Sequence, residues 1–139
     1  MKPYLWALLA ASVWGFAPIL EKMGLSKIPA MPGLFYRSLG VMLGLIVLGI
    51  WQMEGVKATL GQGLGTWGYL VAGGFLASII GQIFFYNALK HGEASQVVPI
   101  GASYPLLSFL LGVLFLGEKL TLAKASGMLF VIVGVFLLK

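Results

Sequence analysis

The sequence predicts an all-α membrane protein of five transmembrane helices. Three observations carry this. The 139 residues are 60% hydrophobic and only 9% charged, with a mean hydropathy of +1.00, whereas a soluble domain carries roughly 25% charged residues. The apolar residues form five segments, each close to the roughly 20 residues a helix needs to cross a hydrocarbon core of about 30 Å. The breaks between them are short, so a single transmembrane domain fills residues 1–139 and leaves no room for a soluble one. The spans are expected at about 3–23, 32–53, 66–90, 95–116 and 121–138.

Span one begins after Met1-Lys2-Pro3, which imitates a secretory signal. The apolar run continues through Trp14, Phe16, Ile19 and Leu20, longer than a signal h-region, and further spans follow, so an uncleaved helix is expected. Trp6, like Trp51 in span two, suits the interfacial aromatic belt, whereas Trp14 is deep enough to face a cavity. Pro18 cannot donate to the carbonyl of Trp14. Trp14, Pro18 and Glu21 fall near one helix face.

Span two opens after Pro32-Gly33 and carries Arg37, the single arginine, about one turn in. Arg37 either snorkels to the headgroups or pairs with Glu21 or with an anionic substrate group. Span three has a polar stripe of Ser78, Gln82 and Tyr86 at intervals of four, with Gly74 above and Lys90 below. Such a stripe finds no partner in lipid, so it either lines a pore or glues helices together. Gln82 is near mid-span and can both donate and accept. Span four contains Pro99 and Pro105, which free the carbonyls of Ser95 and Gly101, with Ser103, Tyr104 and Ser108 around the break. Irregular backbone at membrane depth either lines a cavity or shapes the bundle. Pro18, Pro99 and Pro105 are therefore the expected helix breaks. Small residues at Gly40/Gly44, Ala77/Gly81 and Gly127/Gly134 permit close helix approach.

The stops are marked by Gly24, Gly55, Gly92 and Gly117, each expected to cap a helix in the left-handed region. Ser95 and Thr121 are the expected N-caps of spans four and five. Gly61-x-Gly63-x-Gly65 reads as a flexible linker, without the strand and helix of a phosphate-binding loop.

Five spans put the termini on opposite sides. Lys2, Lys57, Lys119 and Lys124 then face Lys22, Lys27, Arg37, Lys90 and Lys139, almost no bias. Either one helix or the insertion machinery sets orientation, or the chain inserts both ways. The net charge of +5 belongs to these flanking residues and forms no basic stripe for nucleic acid. The absence of cysteine excludes disulfides and thiolate chemistry. With no Ser/His/Asp set, paired mid-membrane acids or ligand cluster, no enzyme, cofactor or metal is expected. His91 reads as a solvated loop residue.

Several motifs occur in a fixed order. They are Ser12-Val13-Trp14-Gly15-Phe16-Ala17-Pro18, Phe35-Tyr36-Arg37-Ser38, Tyr86-Asn87-Ala88-Leu89-Lys90, Ala94-Ser95-Gln96-Val97-Val98-Pro99, Tyr104-Pro105-Leu106 and Gly117-Glu118-Lys119-Leu120-Thr121, then Gly127 and Gly134. Together they resemble one EamA domain of the drug/metabolite transporter superfamily across essentially the whole chain. The resemblance implies half of a ten-helix fold, completed by an inverted partner, since joining two five-span units end to end inverts the second. It implies a transporter of small metabolites or drugs, an exporter or exchanger working by alternating access as an antiparallel homodimer in the bacterial cytoplasmic membrane. Trp14, Arg37, Ser78, Gln82, Tyr86, Ser103 and Tyr104 are the expected substrate contacts, in a cavity between spans one, three and four of each copy, with span two contributing Arg37 at one rim. Spans four and five are the expected dimer contacts. The rival reading is a non-transporting membrane subunit, or the partner of a second half-domain. The resembling small exporters carry a proton-coupling acid in span one, whereas here Glu21 lies near its end, which points to passive or exchange transport.

Overall fold

The structure is a computed structural model and describes residues 3–138. Lys2 and Lys139, both counted in the charge balance, lie outside the described residues. Among these residues the chain is helical, without strands. It divides into two compact units that meet in sequence at Lys90 and His91.

The first unit begins with α1 (Pro3–Leu25) and α2 (Ala30–Trp51), both long and apolar enough to cross a membrane. A short α3 (Met53–Thr59) and a 3-10 turn (Leu60–Gln62) follow where a loop was expected. Gly63, at φ +83°, then starts α4 (Leu64–Phe75). A π-type turn (Leu76–Ile80) joins α4 to α5 (Gly81–His91), and together they make the third span. The Gly81 amide donates to the Leu76 carbonyl, the i→i−5 bond of such a turn.

The second unit holds α6 (Ala94–Gly101), α7 (Tyr104–Leu116) and α8 (Leu122–Leu137). α6 and α7 form the fourth candidate span, interrupted at Ala102 and Ser103. α8 is apolar but has 16 residues, about 24 Å of helix, short of the roughly 30 Å hydrocarbon core. Four candidate spans and one shorter apolar helix are therefore present among the described residues.

The prolines act unequally. α1 runs on through Pro18 and α6 through Pro99. Proline's fixed φ is itself helical, and each ring removes one donor without forcing the chain apart. Pro105 sits in the first turn of α7, directly after the break, where a missing N–H costs nothing. Gly117 is left-handed at φ +66° and ends α7, and the Glu118 amide donates to the Gly112 carbonyl at 3.1 Å. Gly24 lies inside α1 and Gly55 inside α3, and Gly92 has no positive φ, so these three do not cap as expected. Thr121 caps α8 by accepting from the Lys124 amide at 3.2 Å. Ser95 is already helical, because α6 starts at Ala94 after Glu93.

Among the described residues, burial in the first unit is confined to one end. Pro18, Leu25, Ala30, Gly33, Leu34, Tyr86 and Leu89 are its buried residues, and Leu89 is fully enclosed. They belong to the C-terminal part of α1, the start of α2 and the end of α5. Large apolar side chains elsewhere, such as Phe16, Leu45, Val71 and Phe84, are exposed, as lipid-facing residues are in a single chain. A Cβ at Gly40, Gly44, Gly127 or Gly134 would meet nothing within 4 Å among the described residues.

Candidate functional site

Three helices converge at the buried end of the first unit. Gly33 provides the closest approach: a Cβ there would lie 2.6 Å from Leu25 Cδ2 and 3.6 Å from Tyr86 Cε2. Leu25, Gly33 and Tyr86 thus form one layer across α1, α2 and α5. α1 and α5 end at this level and α2 begins here, so one turn deeper means four residues back on α1 and α5 and four forward on α2. That step, about 6 Å, reaches Glu21, Gln82 and Arg37. Residues four apart share a helix face, so helical register puts the three polar residues in a second layer one turn beneath the apolar one.

The polar layer is bonded in part. Arg37 Nε meets Glu21 Oε1 at 3.2 Å, with 25% and 16% of the two side chains exposed. Of the readings left open for Arg37, the pair with Glu21 is present. Tyr86, from the layer above, lies close enough to Glu21 and Arg37 to feel both charges. Its Cα–Cβ bond leans toward the helix N-terminus, which here is the deeper direction. Gln82 Oε1 is buried and has no hydrogen-bond partner. An unpaired buried carbonyl oxygen costs about 1–3 kcal/mol, so a native chain retains one where something else satisfies it or where function needs it.

Above the apolar layer two lysines lock the helix ends. Lys22 Nζ donates to the Leu89 carbonyl on α5. Lys90 Nζ donates to the Leu25 carbonyl and, at 3.1 Å, to Ile28. Each cation thereby meets carbonyls left unpaired where the other helix ends. In the sequence Lys22 reads as a topology signal, and Lys90 as one that also ends the polar stripe of span three. Their position in the last turn of an apolar helix was the available clue.

The other expected contacts are distributed differently. Ser78 lies inside the π-type turn and is half-buried. The wide turn interrupts the regular four-residue stacking assumed between Ser78 and Gln82. Trp14, on the Glu21 face of α1, is 64% exposed. In the second unit Tyr104 is exposed, and the Ser103 hydroxyl donates to the Ile100 carbonyl at 2.7 Å. Ser103 also lines a largely apolar groove of about 410 Å³ with Ile100, Leu106, Ile132, Val135 and Phe136. Glu118 folds back onto Gly112, where a Cβ would come within 3.3 Å of its carboxyl carbon, and pairs with Lys124 at 3.3 Å. Among the described residues no group of three or more His, Asp or Glu could hold a metal.

Comparison with known proteins gives a consistent result. The family model of the EamA-like transporter family matches residues 1–139. An uncharacterized protein of Methanocaldococcus jannaschii is 31% identical over 131 residues, 94% of this chain and 91% of its own length. An uncharacterized transporter of a Sinorhizobium species is 30% identical over 135 residues, 96% and 93% of the two chains. An uncharacterized transporter of Archaeoglobus fulgidus is 27% identical over 138 residues, which are 99% of this chain but 48% of that protein. No solved structure matches the chain.

Proposed function

This chain belongs to the EamA-like transporter family, and on that premise we propose that it moves a small metabolite or drug across the membrane by alternating access, as an exporter or exchanger. It is an integral membrane protein, and its family points to a transporter rather than an enzyme. The observation that carries the mechanism is the layered end of the first unit. A locked, apolar plug of Leu25, Gly33 and Tyr86 lies directly over a polar layer of Glu21, Arg37 and Gln82. The lysine bonds and the plug act as the closed gate, and the polar layer beneath is the surface a solute meets.

Gln82 and Arg37 are therefore the principal solute contacts we assign, with Tyr86 of the plug as the roof the solute meets above them. Trp14, Ser78, Ser103 and Tyr104 are assigned to solute contact as well, and the interruption before Pro105 is the irregular backbone such sites use. α8 supplies the fifth span, its short length matched by local thinning of the bilayer.

The working unit is an antiparallel homodimer. A relative of similar length and one about twice as long both align with nearly the entire chain, which supports a unit that works in pairs. The glycine faces left open within the chain, Gly127 and Gly134 among them, suit the partner's helices. Its setting is the bacterial cytoplasmic membrane. The ion pair with Arg37 gives Glu21 a fixed partner, which suits passive or exchange transport better than proton coupling.

The test is uptake by purified protein in proteoliposomes, against a panel of amino acids, nucleosides and cationic dyes, with and without an imposed pH gradient. Solute exchange unaffected by a protonophore is the expected result. Accumulation that a protonophore collapses, and that Glu21→Gln abolishes, would make Glu21 a proton carrier. No movement of any solute would favour the non-transporting subunit.

A further inference from the structure

The polar layer is incompletely bonded in a chemically specific way. Arg37 uses only Nε in its hydrogen bond to Glu21, and its two Nη groups donate to nothing among the described residues. A guanidinium presents those groups as a planar fork that matches carboxylate and phosphate oxygens. At the same backbone depth on α5, Gln82 holds a buried oxygen that accepts from nothing. The layer therefore offers unused N–H donors of a guanidinium on α2 and an unused acceptor at the same depth on α5. A neutral apolar solute satisfies neither, and a simple cation has no lone pair for the Nη donors of Arg37. A molecule joining an anionic group to a hydrogen-bond donor satisfies both at once.

We infer that the layer is a binding site for a molecule carrying a carboxylate or phosphate group together with a hydroxyl or N–H donor. The anionic group docks on the Nη fork of Arg37, and the donor bonds Gln82 Oε1. Glu21 holds the guanidinium through Nε, so its fork stays oriented whether or not the site is filled. This inference rests on the transport reading only for the claim that the occupant is a solute in transit; the site's chemistry stands apart from it.

Arg37 is the single arginine of the chain, which makes a direct test possible. Phenylglyoxal reacts with the Nη groups of arginine, and the mass of the Arg37 peptide reports how fast. The full chain is placed in nanodiscs of phosphatidylcholine and labelled in the presence of four probes. Lactate and glycerol 1-phosphate carry an anion and a hydroxyl donor. Lactamide and glycerol keep the shape without the charge. The anions should slow labelling at concentrations where the neutral partners do not. Gln82→Leu should weaken that protection roughly tenfold, the loss of one hydrogen bond to a bound anion. Gln82→Glu, which places a negative charge beside the anion, should abolish it.

Labelling indifferent to the anions, or equally slowed by lactamide and glycerol, overturns the inference. Nanodiscs containing phosphatidylglycerol separate the two sources of phosphate. If that lipid alone protects Arg37, and soluble anions add nothing, the site holds a headgroup and the solute assignment is wrong. Anion protection in a protein that moves nothing in proteoliposomes overturns the transport reading while leaving the site intact. Transport of neutral solutes without protection does the reverse.

Discussion

Lys22 and Lys90 cap each other's helices. The Lys22 ammonium sits on the Leu89 carbonyl at the end of α5, and the Lys90 ammonium on the Leu25 and Ile28 carbonyls beyond α1. Both cations lie where a helix macrodipole is negative, and both tie together two elements far apart in sequence. Replacing Lys90 by Met keeps much of the side-chain volume and removes the charge. It should lower stability by about 1 kcal/mol and speed amide exchange at Ser26 and Lys27 more than elsewhere. Thermal unfolding in detergent and hydrogen exchange read by mass spectrometry check both effects.

Gly33 should tolerate no side chain without compensation. A Cβ at 2.6 Å from Leu25 Cδ2 overlaps a side chain that is itself only 2% exposed. Gly33→Ala should cost about 1–3 kcal/mol, the usual range for overpacking. Shortening the neighbour in the double variant Gly33→Ala/Leu25→Val should recover part of this. A double-mutant cycle on the thermal midpoint measures the coupling. Strictly additive losses would mean the two sites do not press on each other.

Gln82→Leu should separate stability from activity. The substitution removes an unpartnered buried oxygen, so the folded yield and thermal midpoint should hold or rise. Transport should be lost, because the solute loses its acceptor. A variant that transports normally, or that collapses on purification, would show that Gln82 glues helices instead.

The nearly even lysine distribution predicts insertion in both orientations. A topology reporter fused to the C-terminus should give mixed signals. Two lysines added to the α3 region, beside Lys57, should drive the population strongly one way. A single orientation indifferent to added charge would exclude a dual-topology homodimer.

Much of this architecture was legible in the sequence, for reasons specific residues make plain. Hydropathy located the first four spans to within a few residues, since bilayer thickness fixes helix length. Thr121 and Gly117 announced their caps because cap chemistry is local. Gly24 misled because an apolar helix runs through glycine when lipid offers the backbone no alternative partner, and Gly55 because the short α3 forms where a loop was expected. The π-type turn at Ser78 left no mark, since one shifted hydrogen bond needs no particular residue. Gln82, Tyr86 and Arg37 were singled out by their polarity in an apolar setting. The pair of Arg37 with Glu21 was among the alternatives the sequence offered, whereas Gly33 and the lysine pair meet these residues only through tertiary contact.

The one-ended burial of the first unit has a mechanical consequence. Helices fastened at one extremity behave as levers. α2 is a rod of 22 residues, about 33 Å long at roughly 1.5 Å per residue. A tilt of about 10° at its fastened start sweeps the far tip through about 6 Å, the width of a small molecule. Sub-ångström adjustments around Gly33 would be magnified into an aperture at the opposite membrane surface, with the fulcrum itself scarcely moving.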